Sequence, residues 1–248
     1  MTTSPAISII AAATASASIR VEPALPQSPE VAARIARTWD ELRAANDRFY
    51  DGPILRFISL DAQHGELLCR RDSFRTLAVS PRLGLGVRQL GVSGIITARD
   101  HAGAQHLLLG RRGAETRIYP GLWEVAPSGG VKPPPPNIDR LSLHNLALAL
   151  AEEADEELGM TLDPNAAQLL AFLRDEVACS DDAILRFELP SAIDPRRAAC
   201  PLAAEAAGRW EYIDSAWIAL GDLSAFARDH AAAIAPPTAA LLRWLNWV

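Results

Sequence analysis

Apolar residues recur with two different periods along this chain, and the two periods predict a mixture of helices and strands. A first helix is expected to begin at Ser28-Pro29 and to end near residues 46–51, because a capping serine precedes a proline at the first helical position. Its apolar face comprises Val31, Ile35, Trp39 and Leu42. Apolar runs predict strands over residues 54–60, 66–70, 92–97, 106–110, 167–174, 183–189 and 210–218. Helical patterns follow over residues 220–226 and 238–247.

This alternation of strands and helices predicts an α/β (α+β) protein with a mixed β-sheet between helices, an α/β/α sandwich. We divide the chain into three parts. Residues 1–25 are expected to form a flexible tail, although an added strand is the alternative. Residues 26–90 would form a small N-terminal extension of one helix and a β-hairpin, and residues 91–248 the main domain.

Residues 149–160 form the most informative segment, the expected end of a helix that stops at Gly159. The spacing of Glu153, Glu156 and Glu157 is i, i+3, i+4, which places three carboxylates on one helical face. Their position at the C-terminal end of the helix is unfavourable for negative charge. A Mg²⁺ ion would remove this repulsion and could bridge to phosphates. The alternative is a solvated acidic face.

Two further features lie upstream of this helix. Arg111 and Arg112 end a predicted strand, and arginine suits bidentate contacts with phosphate. Gly129 and Gly130 follow a tryptophan-containing segment, and glycines can adopt positive φ or let the backbone approach a ligand closely. The alternatives are two solvated charges and a simple turn.

In order and spacing, these pieces resemble the Nudix hydrolases. The chain carries Leu-Leu-Leu-Gly-Arg-Arg at 107–112 and Tyr-Pro-Gly-Leu-Trp-Glu-Val-Ala-Pro-Ser-Gly-Gly at 119–130. The family's helix carries Arg-Glu-apolar-x-Glu-Glu-x-Gly-apolar, and residues 152–160 here are Glu-Glu-Ala-Asp-Glu-Glu-Leu-Gly-Met. The match extends from about residue 92 to the C-terminus, and it implies a Nudix-type sheet with a small N-terminal extension.

The chain departs from the family pattern at three places. Glu152 replaces the motif arginine, and His144 occupies the slot of a glutamate that follows the Gly-Gly pair. An insertion at 131–140 contains four consecutive prolines, which should form a stiff polyproline II segment. Asp139, His144 or no residue at all would then replace the missing glutamate.

The resemblance implies Mg²⁺-dependent (or Mn²⁺-dependent) hydrolysis of a nucleoside diphosphate linked to another moiety, at the pyrophosphate, with nucleotide sugars as the best fit. It implies Glu153, Glu156 and Glu157 as metal ligands, and Glu156 and Glu157 as the catalytic pair. Arg111, Arg112, Gly129 and Gly130 would bind substrate. The general base could instead be a later acid, and the candidates are Glu176, Asp181, Asp182 and Glu205.

Two other functions deserve comparison with hydrolysis. A catalytically impaired, Nudix-fold nucleotide-binding or regulatory module would explain Glu152. Isopentenyl-diphosphate isomerase shares the fold and a similar Tyr-Pro-Gly-Leu-Trp segment, but it carries a catalytic cysteine soon after the tryptophan. Residues 124–130, directly after Trp123, contain no cysteine, so we discount the isomerase.

Composition narrows the partners and the location. A net charge of −6 argues against binding a nucleic-acid polymer, which needs basic surface. Cys69, Cys179 and Cys200 are far apart, which indicates thiols in a reducing cytosol. Residues 1–20 lack the basic start of a signal peptide, and the apolar run 7–18 is too short to span a bilayer. We therefore expect a cytoplasmic protein without a membrane partner, and a homodimer is one option for its assembly.

Overall fold

The computed structural model describes residues 6–12, 17–196 and 211–248, which form a 12-stranded mixed β-sheet with helices on both faces. The strands are β1 Ile7–Ala12, β2 Ser18–Glu22, β3 Pro53–Asp61, β4 Glu66–Ser73, β5 Gln89–Arg99, β6 Gln105–Arg112, β7 Trp123–Val125, β8 Ser128–Gly130, β9 Arg140–Ser142, β10 Gln168–Asp175, β11 Ser180–Glu188 and β12 Tyr212–Ala219. The helices are α1 Pro29–Ala45, α2 Phe74–Leu83, α3 Leu143–Leu158, α4 Leu223–Asp229 and α5 Pro236–Trp244. Among the described residues, no helix is both long enough and apolar enough to cross a membrane.

Strand β5 is the centre of the sheet. It pairs in parallel with β11 from Gln89 to Thr97, and it pairs in antiparallel fashion with β6 at one end and with β8 near the other. Every residue between its first and last is buried. A strand that is covered on both faces needs a continuous apolar run rather than an alternating one. This explains why the sequence around residues 92–97 shows no alternation.

Helices cover the two faces of the sheet. Leu146 and Leu150 of α3 belong to one buried cluster with Val92 of β5. Leu241 and Leu242 of α5 belong to a second buried cluster. This cluster also contains Ile95, from the other face of β5, and Leu223 of α4. The predicted mixed sheet between helices is therefore confirmed.

Most predicted elements are found within a few residues of their expected bounds. Helix α1 begins after Ser28, whose side chain accepts a hydrogen bond from the Val31 N–H. The hairpin is formed by β3 and β4, and β12 is described from Tyr212 onwards. Helix α2 was missed because its buried face includes Thr76 and Ser80, which hide the apolar period, and because Pro81 lies inside it.

The N-terminal segment differs from the expected flexible tail. Ile7–Ala12 pairs with β10, and Ser18–Glu22 lies between β4 and β9. The tail prediction is wrong for these residues, and the added-strand alternative describes them. The division of the chain at residues 25 and 90 stays a prediction.

The proline insertion lies against the N-terminal extension. The Arg71 guanidinium donates hydrogen bonds to the carbonyls of Pro134, Pro135 and Ile138. The chain then continues into β9, which pairs with β2. One arginine therefore fixes the insertion, by satisfying carbonyls that a polyproline II segment cannot pair internally.

Two of the three cysteines fall in the described part of the chain, and both are free thiols. Cys69 is buried and Cys179 is partly buried, in line with the expectation for thiols. Cys200 lies outside the described residues.

A buried ion-pair network fixes the start of β11. The Asp181 carboxylate is fully buried and accepts hydrogen bonds from Arg88 Nε at 2.5 Å and from Arg174 Nε at 2.7 Å. Arg88 precedes β5 and Arg174 lies in β10, so the carboxylate connects three neighbouring segments. This network also fixes the position of the next residue, Asp182.

We expect Asp181→Ala to lower the free energy of unfolding by about 3–5 kcal/mol, because it leaves two cationic side chains without their buried partner. Glu176→Ala is the matched control. Glu176 pairs with the same Arg88 at 2.7 Å, but its side chain is 46% exposed. Its removal should cost about 1 kcal/mol or less. Urea unfolding of the two variants measures both effects, and equal losses would contradict the ranking.

Candidate active site

Helix α3 packs against strand β8 beside Gly129 and Gly130, which have no side chains. A Cβ atom placed on Gly129 would overlap the carboxylate of Glu153, and one placed on Gly130 would overlap the Gln89 amide. Neither glycine has positive φ. Of the two reasons predicted for this Gly-Gly pair, close approach is therefore the one that applies, and the approaching group is a carboxylate of the acidic helix.

The three predicted metal ligands share one side of α3 but differ in exposure. Glu157 is buried, Glu153 is partly buried and Glu156 is exposed. Burial, reinforced by Glu156, raises the pKa of Glu153 to about 7. Burial also raises the pKa of Glu157 well above its usual range, with Glu211 as the next cause. Both shifts show carboxylates placed close to other carboxylates in a poorly hydrated space.

Glu211 joins this group from the segment just before β12, and no local sequence pattern identifies it as a site residue. Its carboxylate is, after burial, the largest cause of the raised pKa of Glu157, so the two side chains lie close together. One oxygen of Glu157, Oε2, is buried without a hydrogen-bond partner. A buried carboxylate oxygen normally has a partner, so this oxygen is available to a cation.

Glu124 is a buried carboxylate of β7. It lies opposite Gly110 in the β6–β7 pair, so Arg112, two residues further along β6, points to the same face. Glu124 Oε1 accepts hydrogen bonds from Arg112 Nη1, from Ser128 Oγ at 3.2 Å and from Tyr212 Oη at 2.7 Å. These donors explain how a charge can be buried there.

The two predicted phosphate-binding arginines point to opposite faces, as adjacent residues of a strand must. Arg112 lines the cavity described below, and its Nε also donates to the Ile118 carbonyl at 2.9 Å. Arg111 is exposed away from that cavity and donates to the Gly121 carbonyl at 3.2 Å. The structure therefore brings only Arg112 to the site, and a substrate role for either residue stays a prediction.

A cavity of about 280 Å³ opens beside these groups. Its lining combines a polar part with an apolar part formed by Leu173, Ile184 and Leu241. Among the polar lining residues are Gln89, Arg112, Arg117, Tyr119, Glu124, Gly129, Gly130, Asp175, Asp182 and Glu211. The cavity thus adjoins the Gly-Gly segment, whereas Glu153, Glu156 and Glu157 do not line it. Gly129 lines the cavity and packs against Glu153 of α3.

The structure separates the candidates for a general base. Glu176 and Asp181 are both paired with Arg88, whereas Asp182 lines the cavity. Asp182 is paired in register with Gly91, where a Cβ would overlap its carboxylate, and it accepts a hydrogen bond from Ser93 Oγ at 3.2 Å. Burial raises its pKa to about 7. The fourth candidate, Glu205, lies outside the described residues.

Other residues depart from, or add to, what the sequence indicated. His144 and Asp139, the two candidates for the missing glutamate, are both exposed and do not line the cavity. Tyr119 and Arg117 do line it, and the Tyr119 hydroxyl donates to Asp175 Oδ2 at 2.9 Å. Tyr119 is the first residue of the Tyr-Pro-Gly-Leu-Trp segment, so this motif is the sequence feature that could have indicated Tyr119 as a site residue.

The donor set fits a hard divalent cation. Glu153, Glu157 and Glu211 supply only oxygen ligands, which Mg²⁺ and Mn²⁺ prefer. In the described ranges 6–12, 17–196 and 211–248, no three His, Cys, Asp or Glu side chains already have ligating geometry. Side-chain rotation would therefore accompany cation binding.

Comparisons with known proteins are informative only at the level of structure. No protein-family model and no curated protein matches the sequence. Similar solved structures include a Nudix hydrolase from Alicyclobacillus acidocaldarius, with 16% identity, a TM-score of 0.43, and coverage of 63% of this chain and 90% of that chain. Another is a MutT protein from Methanosarcina mazei Go1, with 22% identity, a TM-score of 0.36, and coverage of 55% and 80%.

A third similar structure is the Nudix domain of NrtR from Shewanella oneidensis, solved in complex with ADP ribose. Its identity is 16%, its TM-score is 0.40, and the match covers 61% of this chain and 86% of that chain. All three are Nudix or MutT proteins, the family that the motifs resemble. At such identities and TM-scores, any function has to be derived from this chain's own residues.

The raised pKa of Asp182 gives a pH dependence of stability. Its carboxyl stabilises the fold fully below its ordinary pKa of 3.8, and this contribution is lost as the pH rises through about 7. We therefore expect Asp182→Asn to gain stability relative to the wild type between about pH 4 and pH 8. Thermal unfolding in EDTA across this range measures the difference.

Ser93→Ala is the companion variant, because the Ser93 hydroxyl stabilises the charged carboxylate. Removal of this hydroxyl should raise the pKa of Asp182 further. The pH range over which Asp182→Asn gains stability should then extend to higher pH. A difference between Asp182→Asn and the wild type that does not change with pH would contradict the assignment.

Proposed function

We propose that this chain is a Nudix-type pyrophosphohydrolase that uses Mg²⁺ or Mn²⁺ to hydrolyse a nucleoside diphosphate linked to another moiety. One observation carries the proposal. Helix α3 packs so closely on Gly129 that Glu153 and Glu157 are held, with Glu211, beside a polar cavity. Repelling carboxylates in a half-buried space destabilise the fold unless a cation joins them.

In this proposal Glu153, Glu156 and Glu157 hold the cation, and Glu211 is a fourth proposed ligand because it lies close to Glu157. When bound, the cation would neutralise charge on the phosphoryl oxygens and lower the pKa of a coordinated water. Gly129 and Gly130 line the cavity, so their backbone would lie next to the diphosphate. Arg112 holds Glu124 in place and adds positive charge to the cavity wall.

Proton transfer has two candidate locations on the chain. The catalytic role predicted for Glu156 and Glu157 would make one of these carboxylates the acceptor. Asp182 is the other candidate, because it lines the cavity and accepts a hydrogen bond from Ser93 Oγ, and no arginine of the described segments forms an ion pair with it. A pKa near 7 suits a general base at neutral pH.

Among nucleoside diphosphate derivatives we propose a nucleotide sugar. The cavity wall offers carboxylates and an amide, from Asp175, Asp182 and Gln89, and such groups hydrogen-bond to sugar hydroxyls. The cavity volume of about 280 Å³ is close to the smaller ligand pockets of proteins.

The second candidate function is a nucleotide-binding or regulatory module without hydrolysis. Glu152 favours it, because this residue replaces the cationic motif position and is exposed on α3. Its nearest cation is Lys132 Nζ, at 3.8 Å and equally exposed. No arginine at this position therefore orients the neighbouring carboxylates.

Glu157→Gln distinguishes the two candidates. We expect metal-dependent turnover of nucleoside diphosphate sugars, dinucleotides or nucleoside triphosphates to fall by roughly a hundredfold or more, since a charged ligand is lost. Glu152→Gln is the matched control, because it removes the same charge from the exposed side of the same helix. Its activity should stay close to the wild type.

If the wild type turns over none of these substrates with Mg²⁺ or Mn²⁺, yet still binds them in a thermal-shift assay, the module replaces the enzyme. Glu152→Arg would then test whether restoring the motif cation restores activity.

Gly129→Ala tests the contact between α3 and β8. The added methyl group should displace the Glu153 carboxylate, so the Mn²⁺ concentration needed for half-maximal thermal stabilisation should rise about tenfold. Gly221→Ala is the control, since an added Cβ there has no atoms within 4 Å. An unchanged Mn²⁺ dependence in Gly129→Ala would remove Glu153 from the ligand set.

The remaining expectations accompany the proposal and stay predictions. They are a cytoplasmic location, no nucleic-acid polymer or membrane as partner, and a homodimer as one option for assembly.

A further inference from the structure

A second concave surface lies next to the active-site cavity, and we call it the aromatic cleft. It is formed between residues 46–50, which follow α1, and residues 113–117, which follow β6. Its volume is about 200 Å³, and its lining includes Phe49, Tyr50, Phe74, Glu115 and Arg117. The N-terminal extension therefore contributes one wall and the main domain the other.

The aromatic cleft and the active-site cavity share two wall residues, Phe74 and Arg117. The Arg117 guanidinium lies 5.9 Å from the centroid of the Phe74 ring, and its Nη2 donates to the Ala178 carbonyl at 3.2 Å. These two contacts fix a cationic group at the boundary. A ligand with its charged part in the cavity could therefore extend past Arg117 into the cleft.

The aromatic residues of the cleft differ in what they contribute to the core. Phe49 stacks on Trp39, with ring centroids 6.1 Å apart, and contacts the Phe74 ring edge-on. Tyr50 is 79% exposed, and its ring lies over Gly52, where an added Cβ would be 3.4 Å away. Folding leaves most of Tyr50 exposed at the wall of this concave surface.

The rim of the cleft is polar and carries both signs of charge. Arg48 forms an ion pair with Glu115 at 2.6 Å, which joins the two loops, and the Asn46 amide lies nearby in the lining. Donors and acceptors around an aromatic wall match the edge of a nucleobase, which has both kinds of group.

We propose that the aromatic cleft binds the nucleobase of the substrate, which stacks on Tyr50, while Arg117 lies between the base and the diphosphate. This rests on the proposed function, and it assigns the N-terminal extension a part in substrate recognition. Stacking on an aromatic ring tolerates different bases, and arginine contacts both phosphate and aromatic faces.

Direct binding tests the cleft without turnover. Calorimetric titrations would compare nucleoside monophosphates with ribose 5-phosphate, in EDTA and again in Mg²⁺. We expect Tyr50→Ala to weaken nucleoside monophosphate binding roughly tenfold or more and to leave ribose 5-phosphate unchanged. Tyr50→Phe keeps the ring and should stay within about twofold of the wild type. Leu25→Ala, which truncates another exposed apolar residue, should have no effect.

For a substrate that is turned over, Tyr50→Ala should raise KM and leave kcat unchanged. Equal weakening of both ligands, no effect of Tyr50→Ala, or no binding of nucleoside monophosphates by the wild type would overturn the assignment. Base-dependent binding without hydrolysis would refute the enzyme and keep the cleft. Hydrolysis that Tyr50→Ala does not affect would refute the cleft and keep the enzyme.

Discussion

The contact between α3 and β8 is the constraint on which the candidate site depends. Because Gly129 has no side chain, the Glu153 carboxylate can lie against the β8 backbone, and Glu157 one turn later is buried. The spacing of the two residues along the helix then holds their carboxyl groups close to each other. The fold therefore places several carboxyl groups together, and burial, reinforced by the neighbouring carboxylates, raises the pKa of Glu153.

The sheet holds these acidic groups close together. Strand β5 is buried on both faces and pairs with β8 and β11, so it fixes Gly129 and Asp182 on two sides of one cavity. Arginines pair with two of the acidic residues close to the site. Arg112 neutralises Glu124, which lines the cavity, and Arg88 neutralises Asp181. Burial raises the pKa of the Glu153, Glu157 and Asp182 carboxyl groups instead.

Short sequence patterns predicted most helices and strands and the acidic face of α3, but not the contacts that depend on strand pairing. The Ser28 cap, the β3–β4 hairpin and the spacing of Glu153 and Glu157 can each be recognised within a short segment of sequence. Glu211 is far from α3 along the chain, and only the β6–β12 pairing brings it close. The inward orientation of Glu124 likewise depends on its partner strand. Helix α2 could not be predicted from an apolar helical period, because its buried face includes the polar residues Thr76 and Ser80.

Direct cation binding is the measurement that tests the central claim, that the carboxylates beside Gly129 form a divalent metal site. Electron paramagnetic resonance of free Mn²⁺, titrated with protein at neutral pH, needs neither a substrate nor turnover. The wild type should deplete the free-ion signal in proportion to its concentration, and a variant with both Glu153→Gln and Glu157→Gln should leave the signal unchanged. Equal depletion by the two proteins, or none by the wild type, would contradict the claim.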